Sequence, residues 1–175
     1  MMSSPKFALV QIVQSRAEAS GYLKSPGDAV LIQRGRPRWL LLLCPCGCGD
    51  ELPINLDSRA GPAWRIYGHK KNGTSVYPSV WRDTGCGSHF IIWRDRILLF
   101  GQGDDFLSSG PVDEVATLKA RVSAQLPLAG FVTYVAIADA LSEVPWDVLK
   151  VCRQLVRAGI AREGRGKQRG TFARI

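Results

Sequence analysis

The sequence has few histidines and no long apolar run, and both scarcities limit what the chain can be. Only two of its 175 residues are histidine. Its longest apolar run, around Leu40 to Leu43, is far too short to span a bilayer. The first residues lack the apolar core and the cleavage site of a signal peptide. We therefore predict a cytoplasmic protein with no membrane partner.

The common enzyme signatures are also missing. We find no nucleophile elbow, no phosphate-binding loop and no paired carboxylates at a catalytic spacing. With 46% hydrophobic and 22% charged residues, the composition is that of a globular chain rather than a disordered one. The five cysteines are an odd number, and four of them cluster instead of spreading as a disulfide framework does. This usage fits a reducing compartment.

Two short glycine-rich stretches hold those four cysteines and one of the histidines. The first runs from Cys44 to Gly49 and the second from Gly85 to Phe90. Each adjoins an apolar run, as a loop at the end of a strand does. Zinc sites in proteins bring thiolate and imidazole ligands together at about 2.0–2.3 Å from the ion. The pattern therefore predicts one Zn²⁺ ion, with ligands Cys44, Cys48, Cys86 and His89.

Cys46 is a fifth candidate, which could replace one of the four ligands or stay free. A site with four protein ligands is closed, so we interpret the zinc as structural. A catalytic zinc would need an open position and a base, for which Asp50, Glu51 and Asp83 are close enough in sequence. A Cys86–His89 catalytic dyad is a further alternative, but zinc binding explains that pair more simply.

Several motifs between residues 44 and 90 resemble a small uncharacterised bacterial and phage family. They are the first cysteine loop, Pro62 to Arg65, Tyr77 to Trp81 and the second cysteine loop. The family pattern is C-P-x-G-C-G, then P-S-V-W, then G-C-x-S-H-F, and the resemblance covers residues 6–100. It favours Cys44 and Cys48 over Cys46 as ligands. Because some members neighbour genes for ubiquitin-like conjugation, the resemblance also implies a partner from such a pathway.

The hydrophobic patterns predict an α+β chain with two domains. Residues 1–103 show about eight short strands and almost no helix, which predicts an antiparallel sheet or partly open barrel. Residues 104–111 are predicted as a linker. Residues 112–175 show three helical patterns followed by a basic hairpin, which is the order of elements in a winged helix-turn-helix domain.

The C-terminal region is strongly basic. From Lys150 onward the chain holds eight basic residues and a single acidic one, Glu163. Such asymmetry points to an acidic partner, either DNA or an acidic protein surface. Glu143 and Asp147, beside an exposed-looking Trp146, argue against entry of the third helix into a DNA groove. The candidate nucleic-acid-binding residues are Lys150, Arg153, Arg157, Arg162, Arg165, Lys167 and Arg169.

Together these patterns predict a binding protein rather than an enzyme, with zinc fixing the N-terminal fold and the basic winged helix contacting DNA. The first alternative is a protein-interaction adaptor in a bacterial ubiquitin-like conjugation or phage-defence pathway. The second alternative is a zinc-dependent hydrolase.

Overall fold

The computed structural model describes residues 5–69, 73–100 and 112–175, without the side chains of residues 69 and 112–115. The chain divides into two compact units, Met1–Asp104 and Asp105–Ile175. The predicted linker, residues 104–111, lies outside the described residues. No described helix is long and apolar enough to cross a membrane.

Two four-stranded sheets make up the N-terminal unit. The first has the order β1-β2-β3-β4, in which β1 and β2 are parallel and the other pairs are antiparallel. The second is antiparallel throughout, with the order β5-β6-β7-β8. The strands are β1 (Ala8–Val13), β2 (Asp28–Arg34), β3 (Arg36–Leu43), β4 (Glu51–Asn55), β5 (Arg65–His69), β6 (Gly73–Trp81), β7 (His89–Trp93) and β8 (Arg96–Leu99). Neither sheet closes into the partly open barrel that we predicted.

The core of this unit is shared by the two sheets. Leu40 and Leu42 of β3 belong to the same buried cluster as Phe90 and Ile92 of β7. Side chains alternate along a strand, so the intervening Leu41 faces the opposite side of the first sheet, where it packs with a second cluster beside the short helix α1 (Arg16–Ala19). This double burial explains why β3 is an uninterrupted apolar run.

The described residues of the C-terminal unit, 112–175, form three α-helices and a small antiparallel sheet. The helices are α2 (Val112–Gln125), α3 (Tyr134–Leu141) and α4 (Pro145–Arg157). The strands β9 (Val132–Thr133), β10 (Ala161–Glu163) and β11 (Thr171–Arg174) form a sheet in the order β10-β11-β9. The helical and hairpin patterns in the sequence thus correspond to these elements.

Local sequence fixes the starts of the second and third of these helices. The Thr133 hydroxyl accepts a hydrogen bond from the backbone amide of Ala136 and so caps α3. Pro145 lies in the first turn of α4, where its missing amide proton costs nothing. Val148, Cys152 and Leu155 of α4 are buried against Phe172 of β11 in one cluster. The unit therefore has a core of its own.

Candidate metal centre and surrounding residues

The four clustered cysteines lie in two loops that follow strands of different sheets. Cys44, Cys46 and Cys48 lie between β3 and β4, and Cys86 lies between β6 and β7. Because the two sheets share one core, the loops meet although they are about 40 residues apart in sequence. Cys44 itself belongs to that core and is fully buried, while the other three are exposed. The cluster therefore sits at the edge of the core, open to solvent on one side.

The four sulfur atoms are as close together as the ligands of one metal ion. All of them lie within 4.8 Å of one another. The Sγ atoms of Cys44 and Cys46 are 3.3 Å apart, and those of Cys44 and Cys86 are 3.7 Å apart. A tetrahedral zinc with Zn–S bonds near 2.3 Å separates its sulfurs by about 3.8 Å. The donor set fits a single tetrahedral ion and could hold a metal.

The structure differs from the predicted ligand set at one position. Cys46 joins Cys44, Cys48 and Cys86 in the cluster, and His89 is not part of it. The His89 ring instead stacks on Phe100, with ring centroids 3.9 Å apart, and lies 5.9 Å from the Trp81 ring. The cause is strand geometry: His89 begins β7 and pairs with Trp81 of β6, so its side chain lies among the residues of that sheet face.

Glycines allow the loops to turn tightly around the sulfurs. Gly47, between Cys46 and Cys48, has a φ of 87°, and Gly85, before Cys86, has a φ of 67°. Both values lie in the left-handed region, which residues with a Cβ atom adopt only at a cost in conformational energy. At Gly85 a Cβ atom would also lie 2.9 Å from Nη2 of Arg82. The positive φ of Gly85 thus favours glycine at this turn, and the Arg82 side chain would have to shift to make room for a Cβ atom.

Arg82 joins the two loops. Its Nη1 atom lies 2.6 Å from Oδ2 of Asp50 and 3.4 Å from the Cys86 sulfur. The same atom is 3.9 Å from the Cys48 sulfur. The hydrogen bond from Arg82 holds the pKa of Asp50 below its usual range, and the carboxylate in turn raises the pKa of Arg82. A guanidinium in this position offsets part of the negative charge that four thiolates would carry.

Ser88 affects the ionisation of the cluster. Its Oγ atom is 3.2 Å from the Cys86 sulfur and 3.4 Å from the Cys44 sulfur. Hydrogen bonding from the hydroxyl and backbone of Ser88 lowers the pKa of the Cys86 thiol to about 6. Partial desolvation raises the pKa of the Cys46 thiol to about 12. The thiols of Cys46 and Cys86 therefore differ in acidity before any metal binds, and a thiol must lose its proton to become a metal ligand.

The predicted nucleic-acid-binding residues all lie in the second half of the C-terminal unit. Lys150, Arg153 and Arg157 belong to α4, and Arg162 belongs to β10. Arg165, Lys167 and Arg169 lie between β10 and β11 and are exposed. The guanidinium of Arg162 lies 5.1 Å from the centroid of the Phe131 ring. Their role in binding stays a prediction.

The acidic residues that argued against groove entry have partners or are buried. Glu143 forms an ion pair with Arg121, with Oε1 and Nη1 2.5 Å apart. Asp147 is buried, and Trp146 is partly buried rather than exposed. Glu143 is thus neutralised by its neighbour, which weakens the objection that we raised from the sequence.

Arg82 is the site residue that sequence reasoning missed, and Cys46 is the one that it left open. No sequence spacing identifies an arginine that contacts thiolate ligands, because the two loops come together only in the folded chain. The sequence signal for Cys46 as a ligand was its thiol alone, because the family resemblance favoured Cys44 and Cys48. Asp50, proposed from the sequence as a base for catalytic zinc, instead pairs with Arg82.

Comparison with known families gives one finding. Residues 15–100 match the sequence model of a family described as the bacterial ubiquitination-like system serine protease, BubE. That range covers just under half of the chain and contains both cysteine loops and His89. No curated protein and no solved structure matches the chain. The match supports the predicted link to a ubiquitin-like pathway, and it supports that alternative better than DNA binding.

Proposed function

We propose that the chain acts in a bacterial ubiquitination-like system as a serine protease whose zinc site is structural. The observation that carries this proposal is the family match over residues 15–100, the segment that holds β2 to β8 and the cysteine cluster. This revises our interpretation from the sequence, which favoured DNA binding without catalysis. It retains the pathway that the first alternative named.

The four cysteines support a structural rather than a catalytic zinc. Catalytic zinc sites keep three protein ligands and one position for water. Here four sulfurs lie at ligand spacing, so the tetrahedral positions are filled without water. Zinc in such a site would hold a loop of the first sheet against a loop of the second, and other side chains would carry out the hydrolysis. This argument disfavours the zinc-dependent hydrolase that we considered from the sequence.

His89 is the residue best suited to act as the general base. When Cys46 is the fourth ligand, the imidazole of His89 binds no metal and is available as a general acid or base. The side chain is partly buried, and Phe100 and Trp81 flank it. Stacking on the Phe100 ring, with centroids 3.9 Å apart, limits the orientations of the imidazole, as a base in a fixed geometry requires. His89 would take the proton from a serine hydroxyl as that hydroxyl attacks a peptide carbonyl.

We assign the nucleophile to Ser79 rather than Ser88. Ser88 lies in the loop before β7, which begins at His89. Its hydroxyl is 3.2 Å from the Cys86 sulfur and 3.4 Å from the Cys44 sulfur, so it belongs to the cysteine cluster rather than to the strand that carries His89. Ser79 lies in β6, two residues before Trp81, the residue that pairs with His89. This places Ser79 on the strand that pairs with His89, inside the register irregularity between Val76 and Val80, and the cysteine cluster does not include it.

A fluorophosphonate probe, which labels activated serines, tests the proposal on the zinc-loaded full chain. We expect labelling of the wild type, its loss in Ser79→Ala and His89→Ala, and its retention in Ser88→Ala. Zinc content, measured on each variant, separates loss of the catalytic group from loss of the fold. A wild-type chain that holds zinc and remains unlabelled would contradict protease activity. Loss of labelling in Ser88→Ala alone would move the nucleophile to Ser88.

A second candidate function is contact with DNA through the C-terminal unit, and the order of its elements favours it. Helix α2 is followed by β9, then by α3 and α4, and then by the strands β10 and β11, which pair with each other and with β9. We infer a winged helix-turn-helix from this order, with the seven basic residues of α4 and the β10–β11 hairpin facing phosphates or an acidic protein of the pathway. Binding to duplex DNA that weakens steeply with salt would support the first partner. Salt-insensitive or absent binding would contradict it.

A further inference from the structure

A separate cavity lies on the first sheet of the N-terminal unit, on the side that carries α1. Its volume is about 610 Å³, within the usual range for ligand sites. It is lined from β2 and β3 by Ile32, Arg34, Arg38, Trp39 and Leu41. None of these residues belongs to the cysteine cluster, and neither Ser79 nor His89 lines the cavity.

Positive charge surrounds this cavity in excess. One buried carboxylate, that of Asp57, pairs with three guanidinium groups. Its oxygens lie 3.1 Å from Nη2 of Arg36 and 3.0 Å from Nη2 of Arg59, and Arg38 is the third partner. A single carboxylate balances one of those charges, so the cluster keeps a net positive charge.

Two further arginines add to this excess. Arg16 and Arg34 line the cavity, are exposed, and pair with no carboxylate of the described residues. Nε of Arg34 donates to the backbone oxygen of Gln14 at 2.7 Å, which holds the side chain in place. Nε of Arg38 is buried and lacks a hydrogen-bond partner in the described part of the chain. Glu18 of α1 is hydrogen-bonded to Ser15, which lines the cavity.

The floor of the cavity is apolar. Leu41 is fully buried and Ile32 nearly so, whereas Trp39 keeps 39% of its surface exposed. Pro53 and Ala60 complete the apolar lining. A large aromatic beside arginines offers both a surface for apolar side chains and a platform for planar groups. The lining thus calls for a ligand that is anionic and apolar at once.

We propose that this cavity binds an acidic peptide segment, with carboxylates on Arg16 and Arg34 and an apolar side chain against Trp39. Guanidinium groups bind carboxylates through paired, charge-assisted hydrogen bonds. The choice of a peptide over another anion rests on the proposed proteolytic function. The lining supports the same choice, because Trp39 is the one aromatic among the lining residues, whereas a strand of nucleic acid is bound by several aromatics along its path.

The test uses the full, zinc-loaded chain and a fluorescein-labelled octapeptide of alternating leucine and glutamate. We expect the wild type to bind it, and Arg16→Glu/Arg34→Glu to bind it at least about tenfold more weakly. Trp39→Ala should also weaken binding, although it changes no charge. The matched control is Lys24→Glu/Arg96→Glu, which makes the same charge change on exposed residues of the N-terminal unit outside the cavity and should bind like the wild type. Melting curves confirm that each variant is folded.

Four results would overturn the proposal. The first is that the wild type does not bind the peptide at concentrations up to about 1 mM, and the second is that Arg16→Glu/Arg34→Glu binds it as tightly as the wild type. The third is that the control variant loses as much affinity for the peptide as Arg16→Glu/Arg34→Glu does. The fourth is that a single-stranded oligonucleotide binds more tightly than the peptide, in a way that depends on Arg16 and Arg34. The fluorophosphonate experiment stays independent. A chain that is labelled but binds no peptide refutes the cavity proposal alone, and a chain that binds the peptide but is never labelled refutes protease activity alone.

Discussion

The same amino acid has two different uses in the two units of this protein. In the N-terminal unit, four cysteines lie in glycine-rich loops with their sulfurs within 4.8 Å of one another. In the C-terminal unit, Cys152 is fully buried in α4, and burial raises the pKa of its thiol to about 12. A thiol that stays protonated packs as a small apolar side chain. Position in the fold, rather than residue type, thus decides whether a cysteine can be a ligand.

The largest expected effect is on stability: we expect the N-terminal unit to need the metal to stay folded and the C-terminal unit not to need it. Removing zinc with a chelator should unfold the N-terminal unit, because structural zinc contributes about 10–16 kcal/mol of apparent binding free energy in small metal-binding peptides. The C-terminal unit, with its own core, should remain folded. Hydrogen exchange, resolved by peptide, reads both units in one sample. Equal protection of residues 36–100 with and without chelator would contradict a structural metal.

Two buried phenylalanines provide a matched pair, since Phe90 and Phe172 are both fully buried in the cores of their own units. Replacing either with alanine should cost about 3–5 kcal/mol of unfolding free energy. Only the Phe90→Ala defect should be recovered by added zinc, because a ligand stabilises the fold that binds it. Denaturant titrations with and without zinc measure this difference. Equal recovery of Phe172→Ala would show that zinc acts on the whole chain.

A smaller effect concerns the side chain behind the ligands. Arg82→Ala removes the positive charge next to the sulfurs of Cys48 and Cys86. We expect zinc affinity to fall about 10- to 100-fold, as it does when groups that support metal ligands are lost. Competition with a chromogenic chelator measures the affinity. Arg96→Ala, at an exposed arginine of β8, is the control and should bind zinc like the wild type. An unchanged affinity in Arg82→Ala would mean that Arg82 serves only to join the loops.

The smallest effect is expected at Cys152. Cys152→Ser places a hydroxyl in an apolar core and should destabilise the C-terminal unit by about 1–3 kcal/mol. Cys152→Ala adds no polar group and serves as the comparison. Neither variant should change zinc content. Zinc loss in Cys152→Ser would contradict the division of roles between the cysteines.

Much of this architecture could be predicted from local sequence. The apolar run before Cys44 predicted a strand, and the helical patterns of residues 112–175 predicted three helices, because both signals depend on neighbouring residues. The two cysteine loops were likewise evident from glycine and thiol spacing. The parallel pairing of β1 with β2 was not predicted, since alternation reports a strand but not its partner.

The fourth member of the cysteine cluster marks the limit of this approach. A histidine three residues after Cys86 has the spacing of a zinc ligand. Only the strand pairing of His89 with Trp81 shows that its ring lies elsewhere. The position of Arg82 and the arginine-lined cavity also depend on contacts between segments distant in sequence. Local spacing identified the loops, and tertiary geometry selected the side chains.

The most direct test of the account is the zinc content of two single variants, Cys46→Ser and His89→Ala, measured by elemental analysis beside the wild type. The account predicts one zinc per chain in the wild type and in His89→Ala, and loss of most of the zinc in Cys46→Ser. The opposite pattern, with zinc kept in Cys46→Ser and lost in His89→Ala, would return His89 to the metal site. That result would leave the proposed serine protease without its general base, His89.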